Sequence, residues 1–205
     1  MENGKKGVWK PKEEENLDWP NINQGTFYHR EAATSSVAKV IGMADLVPET
    51  IERTYAKSGL GSKDKGAMMA FAKNAVEAWT LPDDERFDGD HDLARAAALD
   101  YLAGNTDRHA KNWMVQDGKK LVLIDNGLLW PHSSGGNFRS RLLDECKGRH
   151  GHILVPKEVK SWDAEKIAGA LRQHKIEEDA ITMMKARLVK LKTMVGHHFH
   201  RPEGV

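Results

Sequence analysis

Three oxygen-bearing side chains set the chemistry this chain could perform. Asp107 and Asn112 stand in one polar loop, and Asp125 follows a single β-hairpin later. The stretch from Leu99 to Gly127 reads as a helix end, that loop, a strand opening at Met114 and Val115, a turn at Asp117-Gly118, and a second strand from Leu121 to Ile124. Asp-Gly between two apolar runs is a strong hairpin signal, because both residues tolerate the positive φ that the turn requires. So short a hairpin returns the chain on itself and brings Asp125 back toward Asn112 and Asp107. Two carboxylates and an amide at one point form a hard-oxygen site suited to Mg²⁺, with Mn²⁺ as the nearest substitute.

The interval sharpens the expectation. In protein kinases a catalytic-loop Asp is followed by four residues and a metal-binding Asn, and a second metal-binding Asp opens the next hairpin's exit. Asp107, Arg-His-Ala-Lys and Asn112 reproduce the first part, and Asp125-Asn126-Gly127 the second. The order Asp-Arg-His-x-x-Asn resembles the phosphatidylinositol 3- and 4-kinases and the bacterial kinases related to them and to HipA.

That resemblance implies a minimal bilobal, protein-kinase-like α+β fold. A small antiparallel-sheet lobe would span 1–75 and a helical lobe 76–205. It implies ATP and Mg²⁺ as cofactors and an unknown hydroxyl-bearing acceptor, a protein Ser or Thr being one candidate. Asp107 would receive or orient the acceptor hydroxyl, and Asn112 and Asp125 would hold metal. Lys10, closing the strand Gly-Val-Trp-Lys before Pro11, would contact the ATP phosphates. Glu31, in the pair Arg30-Glu31, would anchor Lys10 by an ion pair. His109 would contact the γ-phosphate or stack within the loop, and Lys111 would face solvent or phosphate. The family's glycine-rich flap is reduced here, since nine residues precede Lys10. The same resemblance therefore keeps two alternatives open: an impaired pseudokinase that binds nucleotide or protein, and nucleotidyl rather than phosphoryl transfer. No Ala-Pro-Glu sequence follows Asp125, so peptide docking of the ordinary protein-kinase kind is not expected.

The elements that must position these residues are legible in part. Lys6 to Lys10 reads as a strand, and residues 12–25 as an acidic, Asn-rich loop. A helix is expected from about His29 to Ile41, with Glu31 in its first turn and Gly42 as its stop. Leu46 to Ile51 reads as an edge strand continuing toward Tyr55, and Ala67 to Phe71 as a strand feeding a link that runs through Lys73 to Trp79. Ser58 to Ser62 is glycine-rich and suits a plain hairpin loop better than a phosphate cradle. The acidic run 82–92 lacks the alternating spacing of a calcium loop and reads as a linker. From Leu93 the Ala-rich pattern LARAAALDYLAG forms a helix closed by Gly104. Asp100, one turn before the loop, either orients it or is an exposed helix charge. Leu128, Leu129 and Trp130 pack inward, Ser133 to Asn137 forms a loop, and Phe138 to Cys146 is helical. Ser161 or Asp163 caps the next helix, and Ile181, Met184, Leu188, Leu191 and Val195 mark the core stripe of a last one from Ile176 to Val195. His197, His198 and His200 read as a tail.

Composition bounds the rest. With 205 residues, 40% of them hydrophobic, the chain can bury the core of one domain. A net charge of +1 gives no electrostatic footprint for nucleic acid. A lone cysteine, Cys146, allows no internal disulfide and suits a reducing compartment. No apolar run reaches membrane-span length and no apolar leader opens the sequence, so a cytoplasmic location is expected.

Overall fold

The computed structural model describes residues 6–15, 18–56, 63–87, 89–133 and 139–195. The loop 58–62, most of the loop 133–137 and the three terminal histidines lie outside the described residues.

The first sheet grows from β-rich segments on either side of one helix. Its strands are β1 (Gly7–Pro11), β2 (Thr50–Ala56) and β3 (Lys63–Ala70). They lie in the order β1-β3-β2, all antiparallel. Lys10 pairs with Ala67, so both side chains project from one face with Glu52 of β2. Gly66 lies opposite Pro11 in the same ladder. A Cβ there would stand 2.3 Å from the Lys10 carbonyl oxygen, so only glycine lets β1 approach this closely.

Helix α1 (Phe27–Val40) joins β1 to β2. It begins two residues before the expected His29, because Glu15 reaches forward and accepts from the Phe27 and Tyr28 amides at 3.0 and 2.7 Å. These are the orphan donors of a helix start, and the carboxylate also suits the positive dipole end. Glu31 therefore falls in the second turn rather than the first. Gly42, at φ 76°, follows the helix as expected.

The expected strand from Leu46 starts only at Thr50. Leu46 and Val47 are buried in a turn instead, and the Leu46 carbonyl accepts from Leu123 at 2.7 Å. Pro48 disfavours continuous pairing here. The Lys73-to-Trp79 link also divides: Ala75–Glu77 forms β4, which joins a second antiparallel sheet with β5 (Trp113–Gln116) and β6 (Lys120–Leu123) in the order β4-β5-β6. The β5-β6 turn has Asp117 and Gly118 at φ 52° and 72°, closed by the Lys119 amide on the Gln116 carbonyl at 3.1 Å.

Helix α2 (Asp90–Ala103) connects β4 to β5 and packs against α3 (Arg141–His150), β6 and α5 (Glu178–Met194). Its alanines explain the close approach: Ala96, Ala97, Ala98 and Ala103 are fully buried beside Leu93, Leu99 and Leu102. Gly104 closes it in the left-handed conformation, φ 67°. Helix α3 starts later than Phe138 because Ser140 is its cap, accepting from the Leu143 amide at 3.3 Å. Asp163 caps α4 (Ala164–Gln173) through the Glu165 and Lys166 amides. Trp113, Trp130 and the α5 stripe Met184, Leu188 and Leu191 complete a continuous core. No helix among the described residues is long and apolar enough to cross a membrane.

Candidate active site

The site is assembled from three distant parts of the chain. Strand β1 brings Lys10, helix α1 brings Glu31, and the exit of β6 brings Asp125. The Lys10 ammonium donates to the Glu31 carboxylate and, at 3.0 Å, to Asp125 Oδ1. Burial alone would lower the pKa of Lys10. The charges of Glu31 and Asp125 outweigh it and hold the ammonium above its ordinary range. Glu31 is almost wholly buried, and its Oε2 has no hydrogen-bond donor among the described residues.

These groups line a cavity of about 280 Å³ that also receives Asp107, Tyr28 and Leu128. Asp107 has its pKa raised, by burial first and by the charge of Asp125 as well, while His109, Arg139 and Arg108 oppose the rise. A carboxyl poised upward in this way is suited to accept a proton. Asp125 adopts φ 57°, a conformation an Asp tolerates better than most side chains. That backbone turn ends β6 pairing and aims the carboxylate at Lys10.

Asn112 does not line the cavity wall. Its Nδ2 donates to the Asp107 backbone carbonyl at 2.8 Å, and its backbone carbonyl accepts from Ile124 at 3.1 Å. It thus ties the loop to the hairpin from below, and its Oδ1 has no hydrogen-bond partner among the described residues. Of the three side chains expected to converge, the two carboxylates line the cavity and the Asn112 amide is bound to the Asp107 backbone instead. No three His, Cys, Asp or Glu side chains among the described residues group as a metal cage. His109 sits outside the cavity. Its Nδ1 accepts from the Lys111 amide at 3.2 Å, which turns the half-exposed ring to the outer side of Asp107, 3.7 Å from Oδ2. Lys111 lies 5.3 Å from the centre of the Trp79 ring.

What the sequence leaves undecided is the support beneath the loop. Asp100 is fully buried and accepts from Arg108, also fully buried, at 3.1 Å, from Asn105 at 2.8 Å and from Ser140 Oγ at 2.7 Å. Arg108 extends the network to the carbonyls of Asn112 and Ile124 at 2.6 and 2.7 Å and to Asn126 Oδ1 at 2.7 Å. One guanidinium thus fixes the loop, both ends of the hairpin and the residue after Asp125. A second buried arginine, Arg30, donates to the Leu129 carbonyl at 3.1 Å, to the Trp130 carbonyl, and to both oxygens of Glu177. It secures the segment after Asp125, where Trp130 is held at φ 62°.

A family model described as phosphatidylinositol 3- and 4-kinase matches residues 71–155, the span from the approach to β4 through α3 that contains the loop and hairpin. The structure of hydra Fam20 with sugar aligns over 94% of this chain and 78% of that one, with a TM-score of 0.55 and 14% identity. The fold is protein-kinase-like, and the likeness to the phosphatidylinositol 3- and 4-kinase model is confined to residues 71–155. The Helicobacter pylori proinflammatory kinase CtkA aligns over 95% of this chain and 86% of that one, with a TM-score of 0.49 and 14% identity. No curated protein sequence matches the chain. Within the kinase-like fold, the family match falls on the Asp100–Arg108 support as well as on Asp107, Asn112 and Asp125.

Proposed function

We propose that the chain is an ATP- and Mg²⁺-dependent phosphotransferase that acts on a hydroxyl acceptor, with lobes divided near residue 75. The observation that carries this reading is the Lys10 ammonium held between Glu31 and Asp125, in the cavity that contains Asp107. A fixed ammonium of this kind suits phosphate oxygens, and Glu31 keeps it in place.

Asp125 offers hard oxygens in the cavity, and Asn112 would be the second ligand only through the kinase resemblance; Mg²⁺ would draw its remaining ligands from water and phosphate rather than from a full protein cage. When bound, the ion would supply positive charge against the phosphates. The cavity otherwise holds Glu14, Glu15, Glu31, Asp107 and Asp125 against the single lysine, an excess that would repel a bare polyphosphate. Asp107 orients the acceptor hydroxyl and takes its proton. The remaining work is positioning, done by the buried arginine network under the loop.

The test combines binding and transfer. ATP with Mg²⁺ at 100 times its dissociation constant should add about 2.7 kcal/mol to stability, and ATP with chelator should add almost none. Label should pass from the γ-position of ATP to an acceptor, and Asp125→Ala should abolish it while the variant stays folded. Full transfer by Asp125→Ala would overturn the scheme. A thermal shift without transfer would favour the pseudokinase, and transfer of an α-label would favour nucleotidyl chemistry.

A further inference from the structure

The connection between β1 and α1 is bonded to distant parts of the chain. The Asn21 carbonyl accepts from the His132 amide at 3.0 Å, and Asn21 Oδ1 accepts from the Ser133 hydroxyl at 2.6 Å. Asn23 Nδ2 donates to Glu177 Oε1 at 2.7 Å. The amide of buried Ile22 donates to the Trp19 carbonyl at 3.2 Å, closing a turn that carries the indole. The indole N–H of Trp19 donates to Thr106 Oγ1 at 2.9 Å. An indole N–H can only donate, so the Thr106 oxygen is the acceptor. The same buried hydroxyl gives its own proton to the Leu128 carbonyl at 3.3 Å. One side chain thus ties together the connection, the loop and the segment after Asp125. Thr106 immediately precedes Asp107, and Leu128 lines the cavity with Asp107 and Asp125.

Asp107 depends on such support because its carboxylate has no donor of its own. Among the described residues its hydrogen bonds are made by the backbone. Its amide donates to Asn105 Oδ1 at 2.9 Å, and its carbonyl accepts from Asn112 Nδ2 at 2.8 Å and the His109 amide at 3.0 Å. His109 Nε2, 3.7 Å from Oδ2, is beyond hydrogen-bond reach. The carboxylate is therefore aimed by the residues that flank it in sequence. Arg108 is fixed by Asp100, Asn126 and the hairpin carbonyls. Thr106 is fixed by Trp19 and Leu128.

We propose that Trp19 and Thr106 are positioning residues for Asp107, and that the bonded series from the Trp19 N–H through the Thr106 hydroxyl to the Leu128 carbonyl sets that carboxylate for transfer. This rests on the phosphotransferase reading. The acceptor oxygen forms its bond to the γ-phosphorus as the bond from that phosphorus to the ADP oxygen breaks, and the acceptor's proton passes to Asp107. Trp19 and Thr106 touch neither reacting atom. Loosening them slows the proton's departure and leaves nucleotide binding unchanged, because Lys10, Glu31 and Asp125 keep their contacts.

The test follows release of the γ-phosphate from ATP with Mg²⁺ by the full chain, with water as the acceptor. Trp19→Phe keeps an aromatic ring and loses one hydrogen bond, so kcat should fall by roughly fivefold. Thr106→Val loses two, so kcat should fall by roughly 25-fold, and KM for ATP should hold in both variants. The double variant should be no slower than Thr106→Val, since both changes act through one hydroxyl. Thr106→Ser keeps both bonds and should match the parent, as should Asn23→Ala, which loses only the Glu177 bond. Hydrogen exchange at the Asp107 amide, read by NMR without nucleotide, tests the tether apart from turnover. It should quicken in Trp19→Phe and Thr106→Val and keep the parent rate in Thr106→Ser. Trp19 is only half-buried, so Trp19→Phe carries the test should a thermal melt show Thr106→Val unfolded. Quickened exchange in variants of a chain that never releases phosphate would uphold the tether and overturn the phosphotransferase reading on which its role rests. Parent-like kcat and exchange in Trp19→Phe, a loss confined to KM, or an equal loss in Thr106→Ser would overturn the proposal.

Discussion

Asp100→Ala is the most severe single change the structure predicts outside the cavity. Asp100 and Arg108 are both fully buried, and Asp100 also accepts from Asn105 and Ser140. Removing the carboxylate leaves a guanidinium charge unpaired in the interior, at a cost of roughly 3–5 kcal/mol. For a chain of this size each kcal/mol moves Tm by about 2–4 °C, so the expected loss is roughly 6–20 °C. The assay is urea denaturation followed by tryptophan fluorescence, read beside a thermal melt. Removing both charges in Asp100→Leu with Arg108→Met should recover part of the stability. It should recover no phosphotransfer, because the carbonyls of Asn112 and Ile124 lose the donor that sets the hairpin against the loop. A loss below about 1 kcal/mol in Asp100→Ala would refute the view that this pair is the foundation of the loop.

The other predictions concern single groups. Asp107→Asn should raise the thermal midpoint at neutral pH, since burial and Asp125 disfavour its charge, while transfer falls by about 10²–10⁴-fold. Glu177 is held below the usual carboxylate range: burial raises its pKa, but the charge and hydrogen bond of Arg30, its own backbone amide and the Asn23 amide together more than reverse this. Its folded pKa is depressed, so its contribution is present above the unfolded value of about 4.3 and is lost as pH falls through the folded one. Glu177→Gln should therefore flatten the acid side of the stability profile below about pH 4.5, as measured by denaturation at successive pH values. Gly66→Ala should cost about 1–3 kcal/mol and weaken ATP binding, because the added carbon meets the Lys10 carbonyl. Cys146, buried with its thiol pushed up to about 11, should react with a thiol reagent at pH 8 only at the rate of unfolding.

Local signals explain which parts of this architecture could be read in advance. The Asp117-Gly118 turn, the Ala-rich helix with Gly104 behind it, and the Arg30-Glu31 helix all declare themselves within a few residues. The buried support did not. Asp100 on a helix looks like any solvated charge until its partner eight residues on is known to be enclosed with it. Ser140 is one of several serines near a helix start, and only its contact with Asp100 sets where α3 begins. The later start of β2 has a similar cause: Leu46 is committed to β6 across the fold, a contact no local pattern reveals. Glu15 shows the same limit, since the loop that carries it gives no sign that it caps a helix twelve residues away.

The adjacent residues Arg30 and Glu31 take different partners, and this limits how the protein could be switched. Glu31 points to Lys10, while Arg30 is locked to the Trp130 carbonyl and to Glu177. Swinging this helix outward to disarm the lysine would also strip a buried guanidinium of its anchors, at roughly 3–5 kcal/mol. Such a state would be populated at below about 1%. Control of this chain must then act on what enters the cavity rather than on the pose of the helix, and small molecules that need a displaced helix to bind should find no room.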